Sequence, residues 1–311
     1  MEHEGLLRRL RSPQGRVDVV LDTDTYNEVD DQYALAYLLR SGERLRVEAI
    51  YAAPFSRCGG RFASIRAETP AQGMEQSYEE ILHILRLCGR EELTPRVFRG
   101  ATAYLPDESH PVDSPAARDL AARAMEHTPE QPLYVAAIGA ITNVASALLL
   151  QPAIRDRIVV VWLGGHAHDW PDCREFNLYQ DVAAARVVFN SGAAVVQLPC
   201  MGVVSAFSTT APELIHWLKG KNALCDYLVD LTLQDSARNI GEGCWSRPIW
   251  DVTAIAWLLG GMTQDRIVPS PIPQYDGHYS FDGTRHPIRY VYHVHRDALF
   301  RDLFAKLAAG G

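Results

Sequence analysis

The stretch VVLDTDTYNEVDDQYALAYLLR, residues 19–40, decides the fold. Its apolar start belongs to a run from Arg16 to Leu21 that is typical of a buried β-strand. Acidic residues in the first turn of 30–40, and Gly42 just beyond it, indicate a helix. The acidic side chains between and within these elements are Asp22, Asp24, Asp30 and Asp31. So much buried charge is costly unless a cation or a proton is shared, so the stretch predicts a metal site or an acid/base centre.

Strand-like and helix-like segments alternate along the rest of the chain. Predicted strands lie at 45–52, 133–138, 158–163 and 194–198, and predicted helices at 74–87, 142–150, 182–189, 214–217, 224–233 and 252–259. The end, IRYVYHVHRDALFRDLFAKLAA, predicts a strand followed by a helix. This alternation predicts an α/β fold, an open, mostly parallel, Rossmann-like sheet flanked by helices. We expect a single domain over 1–311, with 53–73 and 262–286 as long loops over a site.

Composition excludes several classes of protein. The 311 residues are 47% hydrophobic and carry a formal net charge of −8, so nucleic-acid binding is not expected. No run of eighteen apolar residues predicts a membrane span, and the first twenty residues lack the apolar core of a signal peptide. The cysteines are scattered without a CxxC pair, as in a reduced cytoplasmic protein. We therefore expect a cytoplasmic protein.

The acidic residues are placed where an open sheet binds ligands. In such sheets the ligand lies beyond the carboxyl ends of the strands, and Asp22 and Asp24 follow the first predicted strand. Two residues apart, they are expected to point to the same side. Capping a helix needs one carboxylate, whereas this segment has four. Oxygen ligands without His or Cys favour a hard cation, Ca²⁺ or Mg²⁺.

Four further stretches occur in the order found in one family. They are AAIGAITNVASAL (136–148), VVWLGG (160–165), REFNLYQDVAAARVVFNSG (174–192) and WDVTAIAWLL (250–259). Together with the aspartate cluster, which resembles the signature DxDPGxDD, they resemble the nucleoside hydrolase family of the inosine–uridine-preferring type. The resemblance covers roughly residues 16–308. It implies the nucleoside hydrolase fold and hydrolysis of a ribonucleoside substrate to ribose and free base, with inversion at the sugar carbon.

The resemblance also implies roles for individual residues. Ca²⁺, rather than Mg²⁺, is expected between Asp24, Asp31, the carbonyl of Ile138 and Asp251. Asp24 is the expected general base for the attacking water. The residues expected to bind the ribose are Asp30, Glu175, Asn177 and Asp251. Asp22 is expected to support the site from behind, and the family tends to homodimers and homotetramers.

The chain departs from the family pattern inside the signature. Five residues, TYNEV, separate Asp24 from Asp30 where the pattern has three, and the Pro-Gly pair is lost. The longer loop must bulge, which brings Asn27 or Glu28 within reach of the site. An Asn that usually follows the second strand has no counterpart in AAPFSRCGG, where Ser56 or Arg57 stands near its position.

A second departure concerns the base. Trp250 stands where many members have a His that protonates the leaving base. A Trp there resembles the purine-specific members, in which stacking raises the proton affinity of the base, so purine nucleosides are the expected preference. In the loop before Glu175, His166, His168 and Trp170 could supply a proton or a stacking face, and His168 is a predicted substrate contact.

Three alternative functions stay open at this point. VVLDTDT also matches the DxDxT motif of haloacid-dehalogenase-like phosphatases, with Asp22 as nucleophile and Asp24 as acid/base. That motif is short and leaves Asp30, Asp31 and the REFN stretch without a role. The second alternative is a non-catalytic ribose- or nucleoside-binding protein on the same fold. The third keeps the hydrolase chemistry but acts on a different N-riboside.

Overall fold

Strands and helices alternate over most of the chain. The computed structural model describes residues 2–57, 67–241 and 243–309. In this part of the chain the strands are β1 (Val17–Thr23), β2 (Leu45–Ala52), β3 (Val97–Arg99), β4 (Leu133–Ala137), β5 (Ile158–Leu163), β6 (Ala194–Leu198), β7 (Ser208–Thr209), β8 (Arg247–Pro248), β9 (Thr263–Pro269), β10 (Ile272–Pro273), β11 (Tyr279–Ser280) and β12 (Pro287–Val294).

The helices cover both faces of the sheet that these strands build. They are α1 (Glu2–Arg9), α2 (Asp30–Leu39), α3 (Pro70–Cys88), α4 (Pro115–Met125), α5 (Thr142–Leu150), α6 (Phe176–Gln180), α7 (Val182–Asn190), α8 (Ala211–Trp217), α9 (Ala223–Asn239), α10 (Val252–Leu259) and α11 (Arg296–Ala308). Short 3₁₀ helices lie at Glu91–Arg96, Pro152–Asp156 and Val204–Ala206.

Eight strands form the central sheet, in the order β3-β2-β1-β4-β5-β6-β12-β9. All neighbouring pairs are parallel except β12 with β9, which is antiparallel. The prediction of an α/β fold with an open, mostly parallel sheet is confirmed. The register pairs Thr23 with Ala52 and Leu163 with Leu198, so the strands end nearly level. The residues that follow them therefore emerge together at one edge.

The core lies on both faces of the sheet. Along β5, Val159, Val161 and Leu163 belong to one buried apolar cluster, whereas Ile158, Val160 and Trp162 belong to the other. Because successive side chains of a strand point to opposite faces, a strand buried on both sides must be apolar throughout. The run IVVVWL meets this requirement and forms the middle of the sheet.

Helix α3 begins at Pro70, before the predicted start at Met74. Its N-cap is Thr69, whose hydroxyl accepts the backbone N–H of Gln72 at 3.3 Å, and Pro70 occupies the first turn. The helix ends at Cys88 and is capped by Gly89, which has the left-handed φ of 65° that glycine adopts without strain. The amphipathic pattern marks only the part from Met74, so capping chemistry explains the earlier start.

The two predicted long loops have different outcomes. Residues 262–286 were wrongly predicted to be one loop, because they contain β9, an edge strand of the sheet, and the β10–β11 pair. Of the predicted loop 53–73, residues 58–66 lie outside the described residues, and 70–73 begin α3. Within the described ranges no helix has the length and apolar character needed to span a membrane.

Candidate active site

A polar pocket opens where β1, β4, β5 and β6 end. Its volume is about 150 Å³, which leaves room for a small polar ligand. The lining residues that carry a carboxyl group are Asp24, Glu28, Asp30, Asp31, Glu175 and Asp251. The remaining wall consists of Asn27, Ile138, Leu163, His166, Arg174, Phe176, Asn177, Cys200 and Trp250.

Three of these carboxylates converge most closely. Asp30, Asp31 and Asp251 each offer an oxygen, and these oxygens lie within 4.8 Å of one another. The backbone N–H of Asp251 donates to Oδ2 of Asp30 at 3.3 Å, and the hydroxyl of Thr23 donates to Oδ1 of Asp31 at 2.5 Å. The first turn of α2 and the start of α10 are thus joined, and their acidic side chains face one point.

Asp24 borders the same pocket directly after β1. It is 1% exposed, and its Oδ2 finds no hydrogen-bond partner among the residues that the structure describes. Burial raises the pKa of its carboxyl, the negative charge of Asp31 raises it further, and the guanidinium of Arg57 opposes the rise. Asp24 lies outside the converging trio, whereas Asp30, which we expected on the sugar, is part of it.

The electrostatics of the pocket favour a cation. Burial, with repulsion from neighbouring carboxylates, raises the pKa of Asp31 and of Asp251, and brings that of Asp30 to about 6. Buried carboxylates are stable in the charged form only when a positive partner offsets them. The unpartnered oxygen of Asp24 and the all-oxygen donor set fit a hard divalent cation.

Ile138 and Asn177 meet at the edge of the pocket. Ile138 follows β4, and its carbonyl accepts a hydrogen bond from Nδ2 of Asn177 at 3.2 Å. The same Nδ2 donates to the carbonyl of Leu163 at 3.1 Å. Both hydrogens of the amide are therefore used, so Oδ1 is the atom of Asn177 left for a ligand. The Ile138 oxygen keeps a second lone pair.

Glu175 forms the N-cap of α6. Its carboxylate accepts the backbone N–H groups of Gly165 and Asn177 at 2.8 Å and that of Leu178 at 3.0 Å. Burial raises its pKa to about 7, while these hydrogen bonds lower it. A carboxylate has about four lone-pair sites, so one remains for a ligand beside the structural role.

Asp22 lies behind the pocket rather than on its wall. Fully buried, it accepts a hydrogen bond from Nδ2 of Asn143 at 2.8 Å, and Asn143 also accepts the backbone N–H of Ala101. Burial raises the pKa of Asp22 to about 7, with the Asn143 hydrogen bond opposing. The prediction that Asp22 and Asp24 point to the same side assumed that both lie on a strand. Because β1 ends at Thr23, the alternation of strand side chains does not extend to Asp24.

The loop after β5 brings a different histidine to the pocket from the one predicted. His168 is absent from the wall: its Nε2 contacts Oε1 of Gln197 at 2.9 Å, and its ring lies 4.3 Å from that of Tyr290. His166 lines the pocket instead. The backbone N–H of Met201 donates to Nδ1 of His166 at 3.3 Å, so the neutral ring carries its hydrogen on Nε2. Burial lowers the pKa of both rings.

Trp250 forms part of the wall next to Asp251. It is partly buried against the apolar core and precedes the start of α10. The sequence analysis missed four other wall residues, Arg174, Phe176, Cys200 and Leu163. The first two flank Glu175 in the quoted stretch, and Cys200 follows β6 at the same edge of the sheet. For Cys200 the position after a strand end was the signal that could have found it, and for Arg174 and Phe176 the signal was their place beside Glu175.

The longer signature loop reaches the pocket. Asn27 and Glu28 both belong to its wall. Glu28 accepts hydrogen bonds from Arg57 at 3.1 Å and from Arg247 at 2.5 Å. Arg57 comes from the loop after β2, and Arg247 from β8. The inserted residues thus join three separate segments around the pocket.

Comparison with known proteins gives a consistent result. The sequence pattern described as "inosine-uridine preferring nucleoside hydrolase" matches residues 19–275. The putative pyrimidine-specific ribonucleoside hydrolase RihB of Shigella dysenteriae is 32% identical over 142 residues, 42% of this chain and 51% of that protein. The pyrimidine-specific ribonucleoside hydrolase RihA of Citrobacter koseri is 29% identical over 160 residues, 50% of this chain and 51% of that protein. The matches thus span about half the length of these relatives.

The fold is shared with solved structures. A purine-preferring ribonucleoside hydrolase from Gardnerella vaginalis superposes with a TM-score of 0.73 at 21% identity, covering 94% of this chain and 98% of that one. An identity this low shows a common fold and says nothing of the substrate.

Proposed function

This chain belongs to the inosine-uridine preferring nucleoside hydrolase family, and we propose that it hydrolyses the N-glycosidic bond of ribonucleosides to give ribose and the free base. One observation carries the proposal. One pocket is lined by four aspartates from two distant parts of the sequence, together with Glu175 and Asn177. The aspartates are Asp24, Asp30, Asp31 and Asp251. A phosphatase of the DxDxT type would not need this set, since it leaves most of these carboxylates without a role.

We propose that the carboxylates hold Ca²⁺ in preference to Mg²⁺. Asp24, Asp31, Asp251 and the carbonyl of Ile138 are the proposed ligands, and the position of Asp30 in the converging trio makes it a further candidate. Bound there, the ion would offset the buried charge and orient both a water molecule and the sugar hydroxyls. Ca²⁺ suits a site of mixed carboxylate and carbonyl oxygens better than Mg²⁺, which demands strict octahedral geometry.

Asp24 is the proposed general base. Its Oδ2 has no hydrogen-bond partner within the described ranges, so the carboxylate keeps an oxygen that can take a proton from the attacking water. Cleavage of a glycosidic bond passes through an oxocarbenium-like state, which nearby carboxylates stabilise. Attack on the face opposite the leaving base gives inversion at C1′.

The sugar is proposed to lie between the two sides of the pocket. Asp30 and Asp251 would accept hydrogen bonds from ribose hydroxyls on one side. Glu175, through its remaining lone pair, and Oδ1 of Asn177 would bind the sugar from the other. Asp22, held by Asn143 behind β1, supports the segment that carries Asp24.

We propose that Trp250 stacks on the base, which favours purine nucleosides. The curated relatives carry pyrimidine-specific names, so cleavage of uridine and cytidine is the competing outcome. His166 replaces His168 in our proposal as the loop histidine near substrate, with its Nε2–H available to the leaving base. Dimeric or tetrameric assembly, a cytoplasmic location and a single domain over 1–311 stay predictions.

The test is a panel of nucleosides. Inosine, adenosine, guanosine, uridine and cytidine are incubated with the protein, and the reducing sugar released is measured with and without a calcium chelator. The proposal expects release that the chelator abolishes and added Ca²⁺ restores. Proton NMR of the first ribose formed tests inversion, since a β-nucleoside should give the α-anomer. No release from any member of the panel would leave two accounts, a non-catalytic riboside-binding protein and a hydrolase of a different N-riboside.

A further inference from the structure

Asn27 is a buried amide without an assigned role. It is 4% exposed, lies on the wall of the pocket, and its Oδ1 has no hydrogen-bond partner in the part of the chain that the structure describes. Buried polar groups nearly always have partners, and leaving one unsatisfied costs stability. A polar side chain kept in this state inside a pocket points to a ligand that completes it.

The loop that carries Asn27 is held on both sides. The backbone N–H of Asn27 donates to the carbonyl of Asp24 at 2.7 Å. The next residue, Glu28, accepts from the buried guanidinium groups of Arg57 and Arg247 at 3.1 and 2.5 Å. Arg247 also lies 3.5 Å from Asp235. The backbone that carries Asn27 is therefore held at the pocket wall before any ligand arrives.

The chemistry of the amide selects its partner. An amide has both a donor and an acceptor end, and a hydroxyl can satisfy either end. Being neutral, the amide adds no charge to a pocket that already contains several carboxylates. We propose that Asn27 is a substrate-binding residue that hydrogen-bonds a sugar hydroxyl, and that the Arg57–Glu28–Arg247 bridge positions it. This inference rests on the proposed function only for the identity of the ligand as a riboside.

The first experiment measures binding without hydrolysis. Methyl β-D-ribofuranoside carries the sugar hydroxyls but no N-linked base, and its affinity for the calcium-loaded protein is measured by calorimetry. Asn27→Ala should weaken binding about tenfold, the loss typical of a buried hydrogen bond to a ligand. Asn27→Leu, which keeps the size without the polar atoms, should do the same. Tyr26→Ala is the matched control, because Tyr26 lies in the same loop, is 41% exposed and is absent from the wall.

Calcium affinity separates a sugar contact from a metal ligand. In the absence of riboside, the Ca²⁺ dissociation constant of Asn27→Ala should stay within about twofold of wild type, since a metal ligand or its support costs tenfold or more. A tenfold loss would make Asn27 a cation ligand and overturn the inference. Unchanged riboside affinity in both Asn27 variants would overturn it as well.

A double variant tests the bridge. Glu28→Gln removes the charge that holds both arginines, so riboside binding should weaken, and Asn27→Ala/Glu28→Gln should bind no worse than Asn27→Ala alone. If the losses of riboside affinity in the two single variants multiply in the double variant, Glu28 acts independently of Asn27.

Failure of this inference and failure of the proposed function give different results. A wild type that releases no sugar from nucleosides, yet binds the riboside through Asn27, removes the function and keeps the inference. A wild type that does not bind the riboside counts against the inference whatever its activity.

Discussion

The backbone N–H of Asp251 donates to Oδ2 of Asp30 at 3.3 Å, across 221 positions of the sequence. This contact closes the candidate site, because it fixes the start of α10 against the first turn of α2. It also brings the Asp251 carboxylate to the aspartates that follow β1. The site therefore forms only when both ends of the fold are in place.

Replacing Asp251 should weaken metal and sugar binding together. Asp251→Ala removes one of the three converging carboxylates, so we expect a loss of calcium affinity of about tenfold or more. Because Asp251 is also proposed to bind ribose, saturating Ca²⁺ should restore only part of the activity. Calorimetry and steady-state kinetics measure the two effects.

The matched control is Asp297→Ala, which removes an exposed carboxylate from the first turn of α11. Its calcium affinity should equal that of wild type. Full recovery of Asp251→Ala at high Ca²⁺ would show that Asp251 acts on the metal alone.

Trp250 should control the choice of base. Trp250→Ala removes the stacking face from the pocket wall, so kcat/KM should fall about fivefold for inosine and less for uridine, since aromatic stacking contributes around 1 kcal/mol. Trp250→Phe should keep most of the purine activity. Trp217, which is 54% exposed and lies outside this pocket, supplies the control Trp217→Ala. Equal losses on both substrates would remove the stacking argument.

Stabilisation by calcium should grow with pH. Without metal, burial raises the pKa of Asp30 to about 6 and also raises those of Asp31 and Asp251. Raised carboxyl pKa values stabilise the metal-free fold below their unfolded values near pH 4, and this stabilisation is lost as pH rises through the folded pKa values, which for Asp30 is about 6. Calcium must displace the same protons, so its effect is small at low pH.

The measurement is the increase in Tm on adding Ca²⁺, at pH 5.0 and at pH 7.5. We expect a clearly larger increase at pH 7.5. His168 and His286 are partly buried away from the pocket wall, so their lowered pKa values act nearly equally with and without metal and cancel in this difference. An increase in Tm that is equal at the two pH values, or larger at pH 5.0, would contradict the proposed cation site.

Asn143 should be important for stability. It donates to Asp22 at 2.8 Å and accepts the backbone N–H of Ala101 at 2.8 Å, all within the core. Asn143→Ala leaves buried polar groups unsatisfied, so the free energy of unfolding should fall by about 2–4 kcal/mol. Denaturant unfolding measures it, with Asn190→Ala, at an exposed helix end, as a control expected to change little. A loss as small as the control's would mean that Asp22 needs no support.

The sheet could be predicted because its signals are local. The run IVVVWL is apolar throughout, and only a strand buried on both faces requires that pattern. β9 escaped prediction because it is an edge strand whose side chains are largely exposed, with little apolar periodicity to mark it. Its pairing with β12 depends on a partner that is distant in sequence.

The candidate site was predictable in its carboxylates but not in its details. Asp24, Asp31 and Asp251 stand in motifs that can be read along the chain. Which histidine faces the pocket depends on the turn at Gly165, whose φ of 75° redirects the following residues. The position of Glu28 depends on its hydrogen bond with Arg247, 219 positions away, and no local sequence pattern reveals such a contact.

The most direct measurement is the turnover of Asp24→Asn compared with its calcium affinity. Removing the proposed base should lower kcat on the best nucleoside about a hundredfold or more. The variant should stay folded and still bind calcium, although at higher concentration because Asp24 is also a proposed ligand. Asp18→Asn, at the opposite end of β1 and paired with Arg46, should keep wild-type turnover. Wild-type kcat in a folded, calcium-loaded Asp24→Asn protein would contradict the account.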